Sequence, residues 1–163
     1  MDDIVKAARI SHGTFYLYFA NKEAVFAALT ETVSAELNEV GGRLPALTPG
    51  PAGAAALADW IDEVSQVFTR HGAVIRARAE SESAANDGRG LGGDVLGALT
   101  TGLAARLATI DPPDPDPDAA ALAIVAMIER THHSLLSGGV TLERERAVRT
   151  LARLVHGALF PGT

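Results

Sequence analysis

The stretch "ISHGTFYLYFANKEAVF", Ile10 to Phe26, decides how the rest of this 163-residue chain is read. Half of the chain's aromatic residues, Phe15, Tyr16, Tyr18 and Phe19, crowd into five consecutive positions of it, although the chain as a whole is rich in alanine. Ser11 is a good N-cap for a short helix over His12 to Phe19. Asn21 is a good N-cap for the next helix, with Glu23 in its first turn. Just upstream, Ile4, Val5 and Ala8 mark another short helix, with Asp2 and Asp3 at its positive N-terminal end. Short helices bury little surface, so a few large side chains must fix the angle between them. Phe15 and Phe19 lie four apart on one face and can plug the gap against Ile4, Val5, Ala8 and the following helix.

Two short helices joined by a tight turn and followed by a long helix form a helix-turn-helix arrangement. In that arrangement the second helix enters the DNA major groove by its N-terminal residues. Tyr16 and Tyr18 point away from the Phe15/Phe19 face, where a phenol can donate to phosphates or touch base edges. The hydroxyl of Thr14 serves the same purpose. Lys22 opens the long helix, where its charge and the free backbone N–H groups together favour a phosphate.

These residues resemble the DNA-binding signature of the TetR (tetracycline-repressor-like) family of one-component regulators. The likeness lies in "DDIVKAARISHGTFYLYFANKEAVFAAL": a first helix ending "AAR-I-S", then "G-T-F-Y-x-Y-F", then "N-K-E" opening a connecting helix. It covers residues 2–29. The resemblance implies that His12, Thr14, Tyr16 and Tyr18 face the operator, that Lys22 contacts phosphate, and that Gly13 permits close backbone approach. It also implies a larger all-α C-terminal domain whose last two helices form a four-helix dimer interface. Family members carry a further helix before the helix-turn-helix, whereas this sequence begins at the first of the pair. The expectation is therefore a loose N-terminal pair and poor DNA binding. The local charge is weak too, with Lys6, Arg9 and Lys22 against Asp2 and Asp3.

The remainder reads as punctuated helix, and the class is all-α. Residues 1–40 form the helix-turn-helix region with its connecting helix, and residues 41–163 a helical effector-binding and dimerisation domain. The connecting helix ends near the Gly/Pro-rich stretch Gly41–Gly53. Leu57, Trp60, Ile61, Val64, Val67 and Phe68 follow helical spacing. "RHG" at Arg70–Gly72 predicts a break, with a separate helix from Val74 to about Asn86. A turn is expected over Asn86–Gly93, and a helix through Val95, Leu96, Leu99, Leu103, Leu107 and Ile110. "DPPDPDPD", Asp111–Asp118, is a stiff acidic connector, because residues before proline are pushed to extended conformations. A helix from Pro117 to Leu136 ends at Gly138-Gly139, and the last helix runs from Leu142 to Leu159.

Facing stripes suggest an effector pocket walled by Trp60, Val64 and Phe68, with Leu99, Leu103, Ile128 and His132 opposite. Leu122, Val125 and Leu135, with the stripe Val148, Leu151, Leu154, Val155 and Leu159, are the expected homodimer interface. In a monomer that terminal stripe would have little to cover it.

Composition narrows the function. The net charge of −6 argues against non-specific coating of nucleic acid or anionic membrane. With no cysteine there is neither a disulfide framework nor a cysteine-based metal site, which fits a cytoplasmic protein. No segment approaches the run of about 18 apolar residues that a membrane span needs, and "MDDIVKAAR" does not open like a signal peptide. Glu129 to His132 is a single Glu-x-x-His step, whereas a dimetal site needs two and further carboxylates. No metal, no cofactor, no catalytic residue and no enzymatic activity are expected. The reading is a ligand-responsive transcriptional regulator, a repressor acting as a homodimer on a palindromic double-stranded DNA operator, with an unknown small-molecule effector. The competing reading is a helical dimeric small-molecule-binding or interaction protein that has lost DNA binding.

Overall fold

The computed structural model describes residues 2–85, 93–110, 116–138 and 140–162. The expected turn at 86–92, the proline-rich run at 111–115, Gly139 and the side chain of Val95 lie outside the described residues. The fold is all-α, and no strand occurs among the described residues. The helices are α1 (Asp2–Ala8), α2 (His12–Tyr18), α3 (Lys22–Gly42), α4 (Gly50–Ala85), α5 (Gly93–Leu107), α6 (Pro117–Leu136) and α7 (Arg144–Leu159).

Local chemistry sets the helix starts. Ser11 Oγ accepts from the Thr14 backbone N–H at 3.0 Å, and Asn21 Oδ1 from that of Ala24 at 2.8 Å. Asp116 Oδ1 accepts from the Ala119 N–H at 2.9 Å, with Pro117 in the first turn, where its missing N–H costs nothing.

The core is built from α3 to α7. Helix α4 packs on α3, α6 and α7, and α5 packs on α3 and α6. Leu37, Ile61, Val64, Leu99 and Ile128 are fully buried at the centre. Each such side chain contributes about 1.5–3 kcal/mol of burial. Only the later part of α3 joins this core, from Val33 through Leu37 and Val40. That part is also tied to α4 by polar contacts. Glu36 accepts from Arg70 at 2.7 Å and lies 3.0 Å from His71 Nε2. Arg43 donates to Glu39 at 2.6 Å and to Glu63 at 2.9 Å. Trp60 Nε1 donates to the Val40 carbonyl at 3.0 Å. The Arg70 guanidinium holds the Glu36 carboxyl below its ordinary pKa, against the opposing effect of burial.

Two expectations are corrected. The break at Arg70–Gly72 does not occur: α4 continues for 36 residues. A helical glycine costs about 1 kcal/mol against alanine, but here tertiary packing needs it. A Cβ on Gly72 would lie 2.3 Å from Leu136 Cδ1, so the glycine seats α6 against α4. The apolar stripe of α7 is also not left uncovered in the protomer. Val148, Leu151, Val155 and Leu159 are buried, because α7 lies against α4 and α6. Leu154 alone of that stripe faces outward, 57% exposed.

Candidate nucleic-acid interface

Helix α2 is held from one side and bare on the other. Phe15 is buried, meeting the Tyr16 ring edge-on at 5.4 Å and the Phe19 ring at 5.7 Å. The aromatic plug therefore closes on itself, and Phe15 does not become the exposed apolar surface that a loose N-terminal pair would leave. Val5 of α1 is buried as well. On the far side Tyr16 is 55% exposed, Leu17 82% and Tyr18 77%. Tyr16 gives the core only its contact with Phe15.

The expected contacts differ in how free they are. His12 is exposed, but its Nε2 lies 3.4 Å from Asp2 Oδ1, so the acid of α1 competes for it. Thr14 Oγ1 is 2.8 Å from Ser11 Oγ, which ties the threonine hydroxyl into the helix cap. Around Gly13 a Cβ would meet only Ser11 Oγ, at 3.7 Å, so packing within the protein does not demand glycine there. Lys22 Nζ lies 3.7 Å from Glu23, both well exposed. In water such a pair is worth little, and a phosphate can displace it. Leu17 escaped the sequence reading. The signal was present: with Phe15 and Phe19 inward at i and i+4, position 17 must point away, and an apolar residue there can touch a thymine methyl.

Elsewhere, Trp60, Val64, Phe68, Leu99, Leu103, Ile128 and His132 do come together, as packed members of the core. Phe68 and His132 stack with ring centroids 5.2 Å apart. Burial holds His132 below its ordinary pKa, outweighing the backbone hydrogen bond to Ile128 that pulls the other way. Of the expected dimer residues, Val125 is buried with the α7 stripe, Leu135 is half-buried, and Leu122 and Leu154 are exposed. Leu154 borders a shallow apolar groove of about 210 Å³ with Ala123, Met127 and Ala158, between the outer faces of α6 and α7. Among the described residues no group of three potential metal ligands gathers, and no helix is long and apolar enough to cross a membrane.

A capped short helix with a bare polar-aromatic face, set between a second short helix and a long one, has the arrangement of a helix-turn-helix. Residues 1–29 match the model of the bacterial regulatory proteins of the tetR family. The HTH-type transcriptional regulator EthR of Mycobacterium tuberculosis (strains CDC 1551 / Oshkosh and ATCC 25618 / H37Rv) is 38% identical over 80 residues, and EthR of Mycobacterium bovis matches equally. Each alignment covers 47% of this chain and 36% of the relative, so the chain spans about a third of the length of the curated relatives it matches. No solved structure matches the chain significantly. The likeness to the tetR family thus lies in residues 1–29 for the family model and in 80 residues for the EthR relatives.

Proposed function

We propose that this chain is a ligand-responsive transcriptional regulator, a cytoplasmic repressor that binds a palindromic operator as a homodimer. The observation that carries the reading is the face of α2. Tyr16, Leu17 and Tyr18 stand exposed on a helix whose opposite side is fixed by Phe15, with Lys22 one turn beyond. Exposed aromatics on a rigid short helix are costly to leave idle, and they suit the floor of a major groove. The similarity of this segment to regulators named as HTH-type supports the same reading.

Homodimerisation is supported by the apolar groove around Met127 and Leu154. Met127 and Leu154 are both exposed there, on the two C-terminal helices. A two-fold pairing there would present two copies of α2 to two half-sites. Residues 41–163 would then serve as the effector-binding and dimerisation domain, with residues 1–40 as the DNA-reading head.

Selection of bound duplexes from a random pool tests the reading. The expected result is an enriched inverted repeat whose capture needs Lys22. Enrichment of nothing, by a protein that is nonetheless dimeric, would favour a helical interaction protein without DNA recognition.

A further inference from the structure

Helix α1 closes in a tight wrap. The Arg9 N–H donates to the Lys6 carbonyl at 3.2 Å, and the Ile10 N–H reaches back to the Val5 carbonyl at 3.2 Å. Such a wrap places the first residue past the helix in the left-handed region, where glycine is the usual choice because it has no Cβ. The chain follows that usage at the end of α6, where Gly138 has φ 72°. The other described glycines with positive φ are Gly50 and Gly162. At the end of α1 the position is held by Arg9 instead, at φ 54°, and no other non-glycine among the described residues has a positive φ. An L residue is disfavoured in that region by roughly five- to thirtyfold.

Nothing inside the protomer uses the arginine in return. Arg9 is exposed, and its guanidinium has no hydrogen-bond or ion-pair partner among the described residues. Asp2, an acid of the same helix, lies 3.4 Å from His12 instead. Exposed arginines without a partner among the described residues also stand on α6 and α7, at Arg130, Arg146 and Arg153, but those sit on regular helix. At Arg9 the free charge and the backbone strain coincide, and strain of this kind gathers where a chain binds or switches. Position says what the side chain serves. Two residues on, Ser11 caps α2, the helix with the bare face of Tyr16 and Tyr18. In a helix-turn-helix the turn lies beside the end of the second helix that goes first into the groove.

We propose that Arg9 is a further DNA contact, a clamp on a backbone phosphate at the turn between α1 and α2. A guanidinium is always charged and offers paired N–H donors that match two phosphate oxygens. The two hydrogen bonds of the wrap hold the backbone from which it extends. A glycine would make the same wrap at less cost but would bring no charge. The inference rests on the DNA-binding reading and adds to it a residue that positions the head without reading sequence.

The full chain is titrated with a labelled duplex of mixed sequence across salt concentrations, and hydrogen exchange over α1 and α2 follows the stability of the two short helices. Arg9→Gly separates the two roles, because it relieves the turn while removing the charge. Exchange should be no faster than in the unaltered protein, affinity should fall by about tenfold, and the slope of log affinity against log salt should drop by about 0.9. Arg9→Lys, which restores a charge without the paired donors, should recover the slope and only part of the affinity. Unchanged affinity and slope in Arg9→Gly would overturn the proposal and leave the regulator reading standing. Faster exchange accompanying the loss of affinity would overturn it too, by making Arg9 a residue of the fold. Failure of the unaltered chain to bind any duplex would overturn both readings.

Discussion

Lys22 and Tyr16 are both proposed DNA contacts, but they should act differently. The Lys22 ammonium has only an exposed, weak partnership with Glu23 to give up. A phosphate contact carries no sequence information, so Lys22→Ala should weaken binding to all duplexes alike and lower the slope of log affinity against log salt by about 0.9. Fluorescence anisotropy across salt concentrations measures both, and an unchanged slope would remove Lys22 from the phosphate backbone. Tyr16→Phe deletes one hydroxyl from an already exposed ring, and its effect should be confined to the selected operator. His132 makes a different prediction. Burial depresses its pKa in the folded state, so below about pH 6.5 the unfolded chain takes up a proton that the folded chain refuses. Stability conferred by the neutral ring is therefore present at neutral pH and falls as the pH drops, by at most about 1.4 kcal/mol per pH unit for this one group. Urea titrations at pH 7.5 and 5.5 should show a smaller loss for His132→Phe than for the unaltered protein. Equal losses would mean that the ring is protonated in place.

The starts of α2 and α3 were legible because capping is local chemistry: Ser11 and Asn21 each act within three residues of themselves. The glycines were not, because their meaning depends on residues far away in sequence. Gly72 reads as a break, and only the arrival of Leu136 makes it a seat in an unbroken helix. The stripe of α7 reads as an interface for the same reason: nothing in its own residues says that α4 will cover most of it. The split of candidate residues follows this pattern. The α2 face could be found from neighbours four residues apart, whereas the groove at α6–α7 required the assembled bundle. Gly53 carries a further prediction at this scale. A Cβ there would lie 1.9 Å from the Thr48 carbonyl oxygen, a backbone atom that cannot rotate away. That carbonyl is also 3.1 Å from His156 Nε2 of α7. Gly53→Ala should therefore pry the start of α4 from the preceding connection and cost toward the upper end of the roughly 1–3 kcal/mol typical of overpacking. Thermal denaturation measures it, and a neutral result would mean that the connection shifts freely.

At the scale of the whole molecule, the residues left over after the core is built define what can pair. Met127 and Leu154 flank one groove on neighbouring helices and touch solvent in the protomer. Replacing both with Glu removes no core packing, unlike a change at Leu151, which is buried. The double variant should fold normally and sediment as a monomer at micromolar concentration, while the unaltered chain sediments as a dimer. A monomeric parent would end the two-fold model and with it the expectation of an inverted-repeat operator.

The uneven fastening of α3 has a mechanical meaning. Every tie described above grips the helix from Val33 onward, through Glu36, Val40 and Arg43. Ahead of that point, Phe26, Thr30 and Ser34 border an open groove of about 730 Å³ whose other side is Arg78 of α4. At 1.5 Å per residue the stretch from Lys22 to Val33 overhangs by about 16 Å. It is a cantilever, clamped at one end with the proposed reading head at its tip. A tilt of about ten degrees at the clamp carries that tip roughly 3 Å along the duplex, close to the rise of one base pair. In the proposed homodimer two such beams would move at once, so a change too small to disturb the core would put the two heads out of step with the helical repeat of DNA.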